Sequence, residues 1–180
     1  MGSNPVEITS QMSSSGPFIR YPDPRFGAVA TTQTVDPALR AVGSQLVAAA
    51  ESVQAYGLAA VHVGVVAPIV VVSVSEPDRR DYRVFYNPRV ISAGSETALG
   101  REGSVSMPGV EVDIARATGV VVGFDDENGQ GREVALTGFV ARVAQHEIDQ
   151  VNGIFFLDRL SRLKREAALR RFAKLERRSG

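Results

Sequence analysis

The chain has 180 residues, of which 44% are hydrophobic and 22% are charged, a composition typical of folded globular proteins rather than of disordered ones. Twenty basic residues balance twenty acidic ones, so the net charge gives no reason to expect specific nucleic-acid binding. The absence of cysteine excludes disulfides and thiolate metal sites, and the absence of an apolar run of roughly 20 residues argues against a membrane protein.

The first 17 residues are rich in serine and lack the basic start and apolar stretch of a signal peptide. They predict a tail that is disordered or left over from cloning. Because nothing in this segment directs export, we expect a cytoplasmic protein. Residues 18–180 contain no repeat or linker, and we expect them to form one domain.

Local signals predict one helix followed by several strands. Asp36 and Pro37 suit the cap and the first position of a helix, which apolar spacing continues to Gly57. Runs of β-branched residues predict strands over residues 69–74, 83–87 and 120–125. Residues 126–131 resemble a hairpin loop, and residues 132–136 then predict a strand antiparallel to 120–125.

Two further helices follow. Thr137 predicts the cap of a helix that ends near Asn152 and Gly153. One stripe of this helix contains Phe139, Val143, His146 and Gln150, so it carries two polar side chains toward the interior. A third helix over residues 162–176 has a weaker apolar pattern and should pack on the outside. Residues 159–178 include nine basic residues and only two acidic ones, and such a run is typical of the solvated face of a helix.

The strongest chemical signal lies at residues 146–150, His-Glu-Ile-Asp-Gln. A His-Glu-x-x-His motif places two imidazoles on one helix face to bind zinc, with the Glu moving the proton. Here Gln150 replaces the second His, and its neutral amide oxygen is a far weaker ligand for zinc, nickel or iron(II).

Three segments together resemble the signature motifs of peptide deformylases, in the same order and at suitable separations. They are residues 55–64 (Ala-Tyr-Gly-Leu-Ala-Ala-Val-His-Val-Gly), residues 102–109 (Glu-Gly-Ser-Val-Ser-Met-Pro-Gly) and residues 146–150. Residues 21–24, 87–88, 141–147 and 153–160 also look like that family, so the resemblance covers roughly residues 18–174. It implies an α+β fold, with antiparallel strands around the central motif helix and a C-terminal helix.

The resemblance also implies the chemistry of the site. Peptide deformylases remove the formyl group from the N-terminal methionine of new proteins, using a divalent metal held by one Cys and two His. These three ligand positions correspond here to Ser104, His146 and Gln150. We therefore expect no tightly bound metal, although iron, zinc or nickel would be needed for activity. Metal-dependent deformylation is predicted to be lost or strongly reduced, because water without the ion keeps its high pKa.

Other family roles map onto residues of the same segments. Glu147 corresponds to the general base, and the N–H of Val105 to a donor to the formyl oxygen. His62 replaces the glutamine that helps to polarise that oxygen, and Gly57 matches a motif glycine, whereas Ala55 stands where the family usually has another. The expected ligand is an N-formylmethionyl or other N-acyl peptide.

Several alternatives remain open at this level. His62 and His146, with Glu147 or Glu102, would make a rearranged metal site of an active amide hydrolase. In a simpler arrangement, the two imidazoles hydrogen-bond each other, water or Glu102 in a vacant pocket. Ser104 with His146 as base would form the core of a nucleophilic enzyme. Finally, the basic C-terminal helix suits a noncatalytic module that docks on the ribosome, as active relatives do.

Overall fold

The computed structural model describes residues 17–75 and 77–180, so the predicted tail lies outside the described part except for Pro17. The chain order of the main elements is α1 (Pro37–Val53), β1 (Gly57–Ala59), β2 (Ile69–Ser73), β3 (Tyr82–Ala93), β4 (Thr97–Gly103), β5 (Glu111–Ala117), β6 (Gly119–Asp125), β7 (Gly131–Thr137), α2 (Gly138–Val151) and α3 (Arg162–Ser179). Short 3-10 helices span Pro24–Gly27, Ala60–Val63 and Phe156–Arg159. None of the helices described is long and apolar enough to cross a membrane.

Five strands form one antiparallel sheet in the order β1-β2-β3-β6-β7, and β4 pairs with β5 in a separate hairpin. Strand β2 is buried on both faces. Val70 and Val72 belong to the core that contains Ile148 of α2, whereas Ile69 and Val71 belong to the core that contains Leu46 of α1. The sheet therefore lies between α1 and α2, and the predicted α+β class is confirmed.

The helix boundaries follow local chemistry. The side chain of Asp36 accepts a hydrogen bond from the N–H of Leu39 at 2.8 Å, as a cap does. Thr137 is the residue before α2, as predicted, but its side chain makes no capping hydrogen bond. Helix α2 ends before Gly153, whose φ of 73° favours glycine and where a Cβ would meet the Gly27 carbonyl oxygen at 2.7 Å. This close approach joins the end of α2 to the N-terminal segment.

The predicted strands are present, with one clear difference in length. Strand β3 has twelve residues instead of the five predicted, because a bulge accommodates Asn87 and Pro88 without ending the pairing with β6. Strands β1, β4 and β5 were not predicted. The interpretation of residues 55–64 as a helix exit was incomplete, since they contain β1 and a 3-10 helix. Helix α3 lies on the outside as expected, burying only Ala168 and Phe172.

Candidate active site

A cavity of about 430 Å³ opens between α2, β1 and the β4-β5 hairpin. Six of the side chains or backbone groups singled out in the sequence line it: Gly57, His62, Ser104, Val105, His146 and Glu147. The three motif segments, which are far apart in the chain, thus meet at one site. The cavity also has an apolar wall, which includes Leu58, Val110, Phe139 and Val143.

Gly57 lets β1 approach α2 closely at this cavity. A Cβ at this position would lie 2.6 Å from Cγ1 of Val143 and 3.0 Å from the backbone oxygen of Val71. The first contact is with α2 and the second with the paired strand, so neither side gives way easily. The glycine therefore sets the distance between the strand and the helix that carries His146 and Glu147.

Gln150 is not among the residues that line the main cavity. Its side chain is 2% exposed, and neither of its amide atoms has a hydrogen-bond partner among the described residues. It lines a separate cavity of about 10 Å³ beside Ala59, Val61 and Val151, which is close to the volume of one water. The side chain at the second predicted ligand position of α2 therefore does not form part of the wall of the main cavity.

Glu102 holds the imidazole of His146 in one orientation. Its Oε1 lies 2.8 Å from Nδ1 of His146, and both residues are buried. Burial favours the neutral acid, but hydrogen bonds from Arg116 and His146 outweigh it and lower the pKa of Glu102 to about 2. Burial also opposes protonation of His146, yet the hydrogen bond to Glu102 and the nearby Glu147 raise its pKa. The Nδ1–H of His146 thus donates to a carboxylate, and Nε2 is left for other partners.

Two arginines fix Glu102 in turn. Arg116 donates two hydrogen bonds to it at 2.9 Å, and Arg142 donates one at 2.8 Å. Arg116 also donates to Asp149 at 2.6 Å, and Asp149 accepts from Arg159 at 2.7 and 3.0 Å. A buried network therefore connects the β4-β5 hairpin to α2 and to the segment after it.

Sequence reasoning missed the roles of Arg116, Arg142 and Arg159. A signal for Arg116 exists in the alternation of β5, where Ile114 and Arg116 share the inward face. An arginine on the apolar face of a strand predicts a buried carboxylate partner, because a lone buried charge is costly. Arg142 and Arg159 carry no comparable signal.

The carboxylate of Glu147 lies between the two imidazoles. Its Oε2 is 3.6 Å from Nδ1 of His62, and its Oε1 is 3.6 Å from Nε2 of His146. Both distances exceed a direct hydrogen bond, and Oε2 has no partner among the described residues. Burial raises the pKa of Glu147 to about 7, so near neutral pH the side chain can both accept and release a proton.

His62 is 1% exposed, and its ring nitrogen Nδ1 lies 3.1 Å from the backbone nitrogen of Ala59 and 3.2 Å from the carbonyl oxygen of the same residue. Nδ1 is therefore hydrogen-bonded to the backbone in either tautomer, as an acceptor from the N–H or as a donor to the carbonyl oxygen. Burial, together with the neighbouring His146, lowers the pKa of His62 to about 3, so the ring is neutral at physiological pH.

The rearranged metal site of His62, His146 and a carboxylate is not assembled in the described part of the chain. No group of three or more His, Cys, Asp or Glu residues there is placed to hold a metal ion. Glu102 is held by Arg116, Arg142 and His146, and Nδ1 of His62 is engaged by backbone. The alternative metal site therefore stays a prediction, and in the described structure His146 is hydrogen-bonded to Glu102 and His62 to the backbone of Ala59.

The side chains at the three ligand positions also suit the divalent metal of the family poorly. Ser104 offers a neutral hydroxyl, whose Oγ accepts a hydrogen bond from the N–H of Ser106 at 3.1 Å. His146 offers one imidazole, and Gln150 lies off the cavity. One imidazole and one hydroxyl do not make the three- or four-ligand set that zinc or iron(II) requires.

The loop after β4 presents a free backbone donor to the cavity. Val105 is half-buried, and its N–H donates to no acceptor among the described residues. Because this N–H lies beside Ser104 at the cavity wall, it is available to a carbonyl oxygen of a bound ligand.

Comparisons of the sequence and of the structure match this chain to the same family of proteins. Residues 16–166 match the family model described as polypeptide deformylase. A protein named peptide deformylase-like from Rhizobium meliloti strain 1021 is 41% identical over 162 residues, which cover 89% of this chain and 93% of the relative. A protein named peptide deformylase from the same strain is 33% identical over 160 residues, with 88% and 92% covered. The crystal structure of peptide deformylase from Ehrlichia chaffeensis superposes with a TM-score of 0.81 at 31% identity, covering 90% of this chain and 97% of that one.

Proposed function

Because this chain belongs to the peptide deformylase family, as its motifs predicted, we propose that it binds the acylated N-terminus of a peptide but lacks efficient metal-dependent deformylation. One observation carries this proposal: the cavity keeps its substrate-facing groups, whereas two of the family's three metal-ligand positions hold other residues. The cavity keeps Gly57, Glu147 and the free N–H of Val105, whereas Ser104 replaces the thiolate ligand and Gln150 lies off the cavity.

The chemistry of the cavity supports an N-acyl peptide as ligand. Leu58, Val110, Phe139 and Val143 provide an apolar wall for a side chain such as methionine. The N–H of Val105 is available to the acyl oxygen, and the carboxylate of Glu147 lies within the same cavity. An acyl group next to an apolar side chain therefore matches the polar and apolar ends of the cavity.

The relatives give independent support for a function other than bulk deformylation. Rhizobium meliloti strain 1021 has one protein named peptide deformylase and another named peptide deformylase-like. This chain is 41% identical to the second and 33% identical to the first. A chain that is more similar to the deformylase-like relative need not catalyse the deformylation after which the other relative is named.

Peptide binding and turnover test the proposal separately. We expect calorimetry to detect binding of formyl-Met-Ala-Ser by the wild-type protein, with weaker binding of unformylated Met-Ala-Ser. Turnover of the formyl peptide should not rise above its metal-free rate when nickel or cobalt is added, because the site lacks strong ligands. Deformylation by the wild-type protein that accelerates with added metal would contradict the loss of metal-dependent activity, and absence of binding would contradict the proposed ligand.

The matched control rebuilds the family ligands in this chain. Ser104→Cys with Gln150→His should bind nickel and gain deformylation, whereas Gln150→His alone should leave binding weak, because it adds one donor only. A folded double variant that binds no metal would count against the assignment of the ligand positions.

A further inference from the structure

The geometry points to a second activity at this cavity: we propose that Ser104, His146 and Glu102 act as a serine-type acyl-transfer triad that needs no metal. Ser104 is the nucleophile, His146 is the general base, and Glu102 orients the imidazole. The substrate class is a short N-acyl amide or acyl ester. This inference rests on the proposed function, from which it takes the acylated ligand. It adds that the acyl group of this ligand is transferred to Ser104.

The hydrogen bond between the general base and the carboxylate that orients it is already formed. Glu102 Oε1 lies 2.8 Å from Nδ1 of His146, as an orienting carboxylate does in such triads. Arg116 and Arg142 donate three hydrogen bonds to Glu102, so the carboxylate cannot rotate away. Because Nδ1 is engaged, Nε2 is the nitrogen that accepts a proton in the cavity.

The nucleophile half depends on Ser104 and the residue that follows it. Ser104 Oγ accepts a hydrogen bond from the N–H of Ser106 at 3.1 Å, while its own O–H donates to no acceptor among the described residues. The hydroxyl is therefore positioned by backbone and has a proton to give. The N–H of Val105, next to the nucleophile, is equally uncommitted and suits a developing oxyanion.

Ser104 and His146 line the same cavity but make no direct hydrogen bond with each other in the described structure. Hydrogen bonds between catalytic groups are often long or poorly aligned in free enzymes and tighten in the substrate complex, so we expect the Ser104 hydroxyl to reach Nε2 of His146 when the ligand is bound. Glu147 Oε1, which lies 3.6 Å from Nε2 of His146, is placed to stabilise the imidazolium form.

The reaction balances with water as the second reactant. Ser104 Oγ forms a bond to the acyl carbon as its proton passes to Nε2 of His146, and the carbonyl oxygen takes the negative charge. Collapse of this intermediate breaks the bond to the leaving amine or alcohol, which takes the proton from His146. Water then attacks the acyl-serine with His146 as base, releasing the carboxylic acid and restoring the hydroxyl.

Covalent labelling of chelator-treated protein tests the triad. We expect a fluorophosphonate and p-nitrophenyl acetate to add one group to the intact protein, and peptide mapping to place it on Ser104. Ser104→Ala should abolish the adduct. The matched control is Ser106→Ala, in the same loop, whose buried Oγ has no partner among the described residues and whose backbone N–H is retained. This control should still be labelled.

His146→Asn should lower the labelling rate by about 100-fold or more, because general base catalysis contributes at least that factor. The chain has only two histidines, so the ring nitrogens are readily assigned by nitrogen NMR. His146 should carry its proton at Nδ1 in the wild type, as its hydrogen bond to Glu102 requires, and Glu102→Gln should lower the labelling rate of Ser104 in a protein that remains folded.

Absence of an adduct on the folded wild-type protein, or an adduct that persists in Ser104→Ala, would overturn the triad. The proposed peptide ligand is tested independently, because calorimetry with formyl-Met-Ala-Ser on Ser104→Ala needs no nucleophile. Binding without labelling would refute the triad alone, whereas labelling of Ser104 in a wild-type protein that binds no formyl-Met-Ala-Ser would refute the shared ligand.

Discussion

Burial shifts the pKa values of His62 and Glu147 in opposite directions, although the two side chains lie 3.6 Å apart. Both shifts favour the neutral form: the pKa of His62 falls to about 3, and that of Glu147 rises to about 7. Near neutral pH the pair therefore lacks the usual attraction between imidazolium and carboxylate, because His62 is neutral and Glu147 is partly protonated.

His62 should make the protein sensitive to acid. Its folded pKa of about 3 lies below its ordinary value of 6.5, so the unfolded chain binds the proton first as pH falls. The contribution of His62 to stability is therefore complete above pH 6.5 and is lost progressively toward pH 3, by about 3 kcal/mol at pH 4.5. The raised pKa of Glu147 acts in the opposite direction, because below about pH 7 the folded protein binds this proton more tightly than the unfolded chain does. We therefore expect His62→Gln to gain stability relative to the wild type between pH 7 and pH 4.5, as measured by urea unfolding. A difference between the two proteins that does not change over this range would contradict the assignment to His62.

Arg116 should be the most costly single charge to remove. It is buried and pairs with Glu102 and Asp149, which would both be left as buried, under-compensated carboxylates. We expect Arg116→Met to lower the free energy of unfolding by about 3–5 kcal/mol. The control Arg83→Met removes an exposed pair with Asp81 at 3.4 Å and should cost less than about 1 kcal/mol. Similar losses in both variants would argue against a structural network.

At the scale of elements, the predictable parts of the fold are those whose signals are local. Asp36 and Pro37 predicted the start of α1, and Asn152 with Gly153 predicted the end of α2. Strands β4 and β5 escaped prediction because β4 is largely exposed and carries Gly100 and Gly103, which weaken strand signals. A buried ion pair between Glu102 of β4 and Arg116 of β5 also joins these strands, and local sequence does not reveal it.

The contact between β1 and α2 should be sensitive to one methyl group. Gly57→Ala places a Cβ against Val143 of α2 and the backbone of Val71, so we expect a loss of about 1–3 kcal/mol in unfolding free energy. The control Gly27→Ala has nothing within 4 Å of the new Cβ and should change stability little. If the two variants behave alike, the close approach at Gly57 is not a constraint.

The alternative of a ribosome-docking module can be tested at the basic surface of helix α3. Arg170 and Arg171 are exposed, and the salt bridges of the described part include neither. Salt-sensitive cosedimentation with ribosomes that is lost in Arg170→Glu/Arg171→Glu would support this alternative, because salt screens the attraction of a basic surface to a polyanion. The control Arg83→Glu/Arg89→Glu changes the net charge equally on the sheet and should retain binding. Salt-independent or absent association would remove this function.

Over the whole molecule, the family fold persists around an altered centre. The two cores on either face of the five-stranded sheet are apolar and contain neither Ser104 nor Gln150. Apolar packing therefore supplies these cores, and we expect the chain to keep its fold and cavity without a metal at the site. The motifs predicted which residues meet there, but the position of Gln150 off the cavity depends on packing that the motif pattern does not contain.

The most direct test of this account is the metal content of the wild-type protein, measured by elemental mass spectrometry after anaerobic purification without chelator. The account predicts substoichiometric iron, zinc and nickel, because one imidazole and one hydroxyl do not hold these ions tightly. Stoichiometric metal that disappears in His146→Asn would contradict it and would show that the family's metal chemistry survives in this chain.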